Sequence, residues 1–141
     1  MNSTIEKFGF PNSIVREFDH WLLLVRPAQV TLGSMVLAAK ANSTAYGELP
    51  VASFAEQGRI VAIAEPALTK FCAYERINYL MLMMVDPHVH FHIIPRYSST
   101  RRWNGLEFPD SAWPGPPALG SAVQIETDHI KQLAGEISDL M

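Results

Sequence analysis

The run Asp86-Pro87-His88-Val89-His90-Phe91-His92-Ile93-Ile94-Pro95-Arg96 alternates imidazole and apolar side chains one residue at a time from His88 to Ile93. Successive side chains of a β-strand point to opposite faces. The alternation therefore predicts a strand over His88–Ile94. His88, His90 and His92 share one face of it, and Val89, Phe91 and Ile93 turn into a core. Asp86-Pro87 is a turn signal ahead of the strand, and Pro95 is expected to stop it. Three of the chain's 5 histidines fall in this short run. Neighbouring rings sit about 6.6 Å apart at the backbone and repel when protonated, which lowers their pKa values and keeps neutral imidazole available near pH 7. A neutral imidazole is a competent nucleophile or base.

Two chemistries suit such a row. His-x-His on a strand can place two nitrogens on one zinc ion. All three, however, span about 13 Å between the outer backbones, which is awkward for a single tetrahedral ion. Asp86 is the only carboxylate at ligand spacing, and no cysteine pair accompanies it. The other chemistry is covalent catalysis on phosphorus. The middle histidine attacks a phosphoryl group to form a phosphoramidate, while its neighbours orient it and protonate the departing oxygen. His20 and His129 stand alone and read as surface or satisfied core residues.

Upstream, Ile77 to Met84 is apolar on both faces and predicts a central strand. Ile14–Phe18 and Trp21–Arg26 predict a hairpin around Asp19-His20, with Pro27 ending its second strand. Leu32–Lys40 predicts a third strand entered through Gly33, and Asn42–Pro50 is polar and turn-like. Ser53 and Glu56 have capping-box spacing at the head of a helix. Ile60, Ile63, Leu68 and Phe71 supply its apolar side, flanked by Val61 and Ala64, and Pro66 predicts a kink or break. Met81, Met83 and Met84 read as adaptable core filling.

Downstream, residues 98–122 hold Pro109, Pro114, Pro116 and Pro117 with Gly105, Gly115 and Gly120, which reads as one long loop. Trp103, Phe108 and Trp113 predict that it is packed onto the domain, over the site or over a second subunit. Asp128–Leu140 closes as an amphipathic helix, with Ile130, Leu133 and Ile137 on one side and Thr127 or Asp128 as N-cap.

At 141 residues and 15.7 kDa the chain is one domain's worth, and 48% apolar content supplies a core. Charged residues make up only 18%, which excludes a disordered chain, an acidic tail or a long charged coiled coil. A formal charge of −3 gives no field toward nucleic acid or anionic lipid. Cys72 is alone, so it reads as structural and fits a reducing compartment. No apolar leader follows Glu6 and Lys7, and Tyr79–Val85 is too short to span a bilayer. The expectation is a soluble, cytoplasmic α+β or α/β domain over residues 1–141, with a core of about 14–97 and a C-terminal extension over 98–141.

The segment HVHFHII, followed by PR, resembles the signature of the histidine-triad (HIT) superfamily, His-φ-His-φ-His-φ-φ with φ apolar. More loosely, the resemblance runs over residues 14–97, in the order hairpin, strand, helix, strand, triad strand. It is that of a bacterial HIT protein of the diadenosine-polyphosphate-hydrolase-like group. The resemblance implies a HIT-like α+β fold, with a five-stranded antiparallel sheet, one long helix and a C-terminal helix. It implies a homodimer whose sheets join, and nucleotide hydrolysis or nucleotidyl transfer at an α-phosphate with no cofactor and no metal. By position, His90 would be the nucleophile and His92 would contact the phosphate and leaving oxygen. His88 would bond to main chain and orient His90.

The sequence departs from the family pattern at three points. Ser34 stands where many members have a fourth histidine, and Arg26 stands where many have Asp or Asn for the ribose hydroxyls. The loop Met83–Pro87 lacks the usual glycines and polar donors. Ser34 and Arg26 are the substrate-binding candidates at these positions, although Arg26 also reads as a strand-edge cap. Arg96, and less directly Arg101 and Arg102, could supply positive charge to a polyphosphate or be solvated loop charge. A non-catalytic nucleotide-binding or regulatory module, or a histidine metal site, are the alternatives to an enzyme.

Overall fold

A computed structural model of the chain describes residues 1–141. Five strands form one antiparallel sheet: β1 (Ile14–Glu17), β2 (Trp21–Val25), β4 (Met35–Ala39), β5 (Arg76–Leu80) and β6 (His90–Arg96). Their order across the sheet is β1-β2-β4-β6-β5, so the histidine strand is interior and β5 is an edge. Three helices accompany the sheet: α1 (Ser3–Lys7), α2 (Val51–Cys72) and α3 (Thr127–Asp139). The α+β class and the five-stranded antiparallel sheet that the resemblance implies are those observed.

Strands β2 and β4 are WLLLV and MVLAA, buried along their whole length. Such strands need cover on both faces. On one face Trp21, Leu23, Met35, Leu37 and Ile93 pack with Ile60, Leu68, Leu133 and Ile137 of α2 and α3. On the other, Leu22, Leu24, Val36 and Ala38 meet Ile5 and Phe8 of the N-terminal segment. Each fully buried leucine contributes about 1.5–3 kcal/mol. Directly opposed residues share a face. Leu24 opposes Val36, which opposes His92, and Leu22 opposes Ala38, which opposes His90. The register thus places His90 and His92 on the second face, under α1. Val89 and Ile93 project into the main core, as expected, and Phe91 packs against its edge.

Several elements differ from expectation for identifiable reasons. The histidine strand begins at His90 and continues through Pro95 to Arg96. Arg96 O accepts from Glu75 N on the β5 side, so Pro95 turns its missing N–H the other way, past the last β4 pair, Met35↔Ile93. No ladder bond is lost. The expected central strand over Ile77–Met84 is the edge strand β5 and ends at Leu80, and Met84 and Val85 beyond it are 80% and 82% exposed. The strand expected from Leu32 starts only at Met35, because Gly33 at φ +92 makes a turn there. An added Cβ at Gly33 would lie 3.1 Å from Leu68 Cδ2.

Helix α2 runs unbroken through Pro66. The carbonyl that Pro66 leaves without a donor belongs to Ala62, on the exposed side of the helix. The Ser53–Glu56 capping box does not form, since α2 starts at Val51 behind Pro50. Glu56 instead accepts from the backbone N–H groups of Asp19 (3.2 Å) and His20 (2.7 Å), clamping the β1–β2 turn. The long loop is not structureless. It contains a hairpin of β7 (Arg101–Trp103) and β8 (Leu106–Phe108), turned by Asn104-Gly105 at φ 54 and 76. Strand β9 (Val123–Gln124) pairs with β3 (Ala28–Gln29) before α3 begins, one residue ahead of the expected start. Glu126, not Thr127 or Asp128, is the N-cap of α3 and makes no side-chain capping bond. No helix is long and apolar enough to cross a membrane.

Candidate active site

His90 lies on the interior strand, 1% exposed, with Nδ1 at 2.7 Å from the carbonyl oxygen of His88. A carbonyl only accepts, so Nδ1 carries the proton and Nε2 keeps its lone pair. Nε2 makes no hydrogen bond within the chain and is not among its sealed polar atoms, so it opens on the adjoining cavity. His92 stands edge-on to His90, ring centroids 5.1 Å apart. Its Nδ1 is sealed and unpartnered. An orphaned lone pair is tolerated better than an orphaned N–H, so His92 carries its proton on Nε2. The His92 pKa is pushed down to about 4, first by burial, then by the Arg26 charge and by His90. Repulsion within the row was the expected cause of depression; at His92 burial outweighs it.

His88 sits just ahead of β6. Its imidazole Nδ1 lies 2.9 Å from the Thr4 hydroxyl, and its carbonyl holds His90. Main chain and ring of this residue thus do separate work. Asn2 caps α1 through Ile5 N and donates to the carbonyls of Ala39 (3.1 Å) and Ala41 (3.2 Å), pinning the N-terminal segment to the end of β4. So pinned, Phe8 lies 5.6 Å from the His90 ring and 5.7 Å from the His92 ring, centroid to centroid.

The cavity beside these rings holds about 270 Å³ and is lined by His90, His92, Arg26, Phe8, Lys7, Asp86, Leu82, Met84, Val85 and Leu119. Lys7 and Asp86 pair across its mouth at 2.9 Å. Arg26 follows β2, two residues beyond Leu24 and on the same face as His92. Two strand spacings across and two residues along separate their backbones, about 12 Å, and the arginine side chain covers much of that. Arg26 makes no ion pair, and its Nε and Nη1 are sealed without partners. A larger hollow of about 530 Å³ runs along β5 past Arg96 and Trp113, but no imidazole, carboxylate or thiol lines it. No group of three or more His, Cys, Asp or Glu side chains could hold a metal ion.

Among the sequence candidates, the fold gathers His88, His90, His92 and Arg26. Ser34 is not with them. Its hydroxyl is fully buried in the turn before β4, donating to Thr31 O at 2.8 Å and accepting from Thr31 N at 3.0 Å. Arg96 is also elsewhere, its guanidinium committed to Asp110 (2.7 and 3.1 Å), Asn78 and the Gly115 carbonyl. Arg101 caps the end of α2 through the carbonyls of Cys72 and Ala73, and Arg102 pairs with Glu107 on the surface. Trp103 donates to Glu136 of α3, away from the cavity. The core-filling reading of the methionines holds for Met81 alone, since Met84 is exposed on the cavity rim.

Thr4, Lys7, Phe8 and Leu119 were missed. The only sequence signal was Asn2 as a helix cap, and nothing local to residues 3–8 announces a contact with residue 88.

No protein-family model matches this sequence, and no curated protein sequence matches it. Solved structures do. A histidine triad (HIT) protein from Sinorhizobium meliloti superposes with a TM-score of 0.76 at 18% identity, covering 100% of this chain and 96% of that one. A histidine triad protein from Bradyrhizobium japonicum gives 0.74 at 15% identity, covering 97% and 93%. A diadenosine triphosphate hydrolase from Plasmodium falciparum, solved with cyclomarin A, gives 0.66 at 11% identity, covering 96% and 92%. The chain therefore has the histidine-triad fold.

Proposed function

We propose that this histidine-triad fold carries a nucleotide hydrolase or nucleotidyl transferase acting at an α-phosphate through His90. The observation that carries the reading is the His90 tautomer: Nδ1–H is held by the His88 carbonyl, and the Nε2 lone pair faces the cavity. Nε2 attacks phosphorus and forms a P–N bond as the P–O bond to the leaving group breaks. His92, neutral at working pH, keeps its proton and donates an Nε2–H hydrogen bond to the leaving oxygen, which departs as a phosphate anion and takes any further proton from solvent. Water or another acceptor then attacks the same phosphorus, the P–N bond breaks, and the nucleoside monophosphate or its transfer product departs with His90 restored. Thr4 and His88 are positioning residues in this scheme.

A cavity of about 270 Å³ takes a phosphate and sugar. The base lies against the exposed Leu82–Val85 rim. The homodimer belongs to the same reading: β5 pairs on one side only, so its free edge can meet a second copy and join the two sheets. Diadenosine polyphosphates are the substrate class to try first.

The test is steady-state turnover of an adenylyl substrate with a chromogenic leaving group, by the wild type and by His90→Ala of matched circular dichroism. Loss of about 10³-fold or more in kcat is expected. Tight nucleotide binding with no product in the wild type supports the binding-module alternative instead.

A further inference from the structure

The cavity contains a charge that the proposed chemistry does not use. Arg26 has two guanidinium nitrogens, Nε and Nη1, sealed from solvent with no partner in the chain. Its Nη2 makes no hydrogen bond either and is not sealed, so it faces the cavity that Arg26 lines. Asp86, the only carboxylate in the cavity wall, is already held by Lys7 at 2.9 Å. Those two charges cancel, and Arg26 leaves the cavity with a net positive charge. Buried guanidinium without a counterion is costly and is ordinarily matched by a bound anion. Guanidinium N–H donors match the oxygens of phosphate and carboxylate alike, and the phosphorus chemistry proposed at His90 makes phosphate the anion to expect beside it.

Arg26 lies beside His92, on the side of the row away from His88. A phosphate at His90 Nε2 therefore leaves Arg26 Nη2, with its two N–H donors, free for a neighbouring group. Resting on the reading that the first phosphate sits at His90, we infer that Arg26 is a second phosphate subsite. The ligand of this cavity thus carries two phosphate groups, one at His90 and one on the Arg26 guanidinium. The second group is either the next phosphate of the chain or a phosphate on the ribose. A ribose diol alone would leave the arginine unmatched.

Calorimetric titration of the full chain separates these cases, with orthophosphate, pyrophosphate, AMP, ADP and adenosine 3′,5′-bisphosphate as probes. Pyrophosphate is expected to bind about tenfold or more tightly than orthophosphate, and at least one of the two bisphosphorylated nucleotides to exceed AMP by a similar factor. A gain with ADP places the second group on the phosphate chain, and a gain with the 3′,5′-bisphosphate places it on the ribose. Arg26→Gln abolishes the gain, bringing pyrophosphate down to the affinity of orthophosphate, and Arg26→Lys keeps part of it. If pyrophosphate gains through Arg26 but no nucleotide binds, the subsite stands and the nucleotide reading falls. Equal binding of one- and two-phosphate probes by the wild type, or a gain that survives Arg26→Gln, overturns the inference. Arg26→Gln melting above the wild type in the absence of ligand supports an unmatched charge, and lower melting counts against it.

Discussion

Acidification from pH 7.5 to pH 5.0 destabilises this protein through His92 by about 1 kcal/mol. In the unfolded chain the ring takes up its proton near pH 6.5. In the fold, burial first, then the Arg26 charge and His90, push that pKa down to about 4, against a smaller opposing pull from Asp86. Between these two values the unfolded state binds more protons than the native one, so stability falls as pH falls. Full linkage at pH 5.0 comes to about 2 kcal/mol. The cavity mouth admits solvent that screens the ring, which reduces the figure to about 1 kcal/mol, or a melting shift of about 3 °C for a domain of this size.

The assay is urea unfolding of the wild type and of His92→Gln, which is neutral at every pH, at both pH values. The difference of differences isolates His92, because the other titrating groups are common to both proteins. The wild type is expected to lose about 1 kcal/mol more than the variant on acidification. Equal losses would refute a neutral, desolvated His92.

Three further outcomes follow from the packing. Thr4→Val removes the hydroxyl at 2.9 Å from His88 Nδ1 and should cost about 1–2 kcal/mol by denaturant titration. It should also lower kcat more than it raises KM, since it loosens the carbonyl that orients His90; an unchanged kcat would leave Thr4 a purely structural role. Asp110→Ala strands the Arg96 guanidinium; the Arg96 and Asp110 side chains of this ion pair are 4% and 3% exposed, and the loss should cost about 3–5 kcal/mol with kcat per folded molecule unchanged. Gly33→Ala meets both a φ of +92 and a contact of 3.1 Å to Leu68, and should lower stability by about 1–3 kcal/mol by the same titration.

The strand of alternating imidazoles was legible because period two is a local signal, read from neighbours in sequence. It gave the shared face of His90 and His92 and the inward turn of Val89 and Ile93. The β1–β2 hairpin and α3 were legible for the same reason. Where the fold differs, a distant partner decides. Apolar residues run past Leu80 without a break, but β6 supplies partners only as far as Leu80↔His92, so the strand ends there. Glu56 looked like a cap and instead serves a turn 36 residues away. The Asn104-Gly105 turn was legible and was read only as part of a loop.

The site divides the same way. Ser34 and Arg96 are substrate-binding candidates by their place in the chain, yet Ser34 is saturated by Thr31 in its own turn, and Arg96 by Asp110, Asn78 and Gly115, which the sequence does not place beside it. Thr4 and Phe8 reach the histidines across more than 80 residues, a separation over which no pattern carries. Arg26 could be placed at the right position, but its lack of a counterion became visible only with the cavity assembled.

The central claim is that His90 Nε2 is the atom that bonds to phosphorus. Wild-type protein mixed with an adenylyl substrate, quenched rapidly in base and weighed intact, tests this most directly, because a histidine phosphoramidate survives base and is lost in acid. The expected result is a mass gain of one nucleotidyl group, mapped to His90, reversed by acid and absent from His90→Ala. A protein that turns substrate over while never gaining that mass, or that gains it on another residue, contradicts the claim.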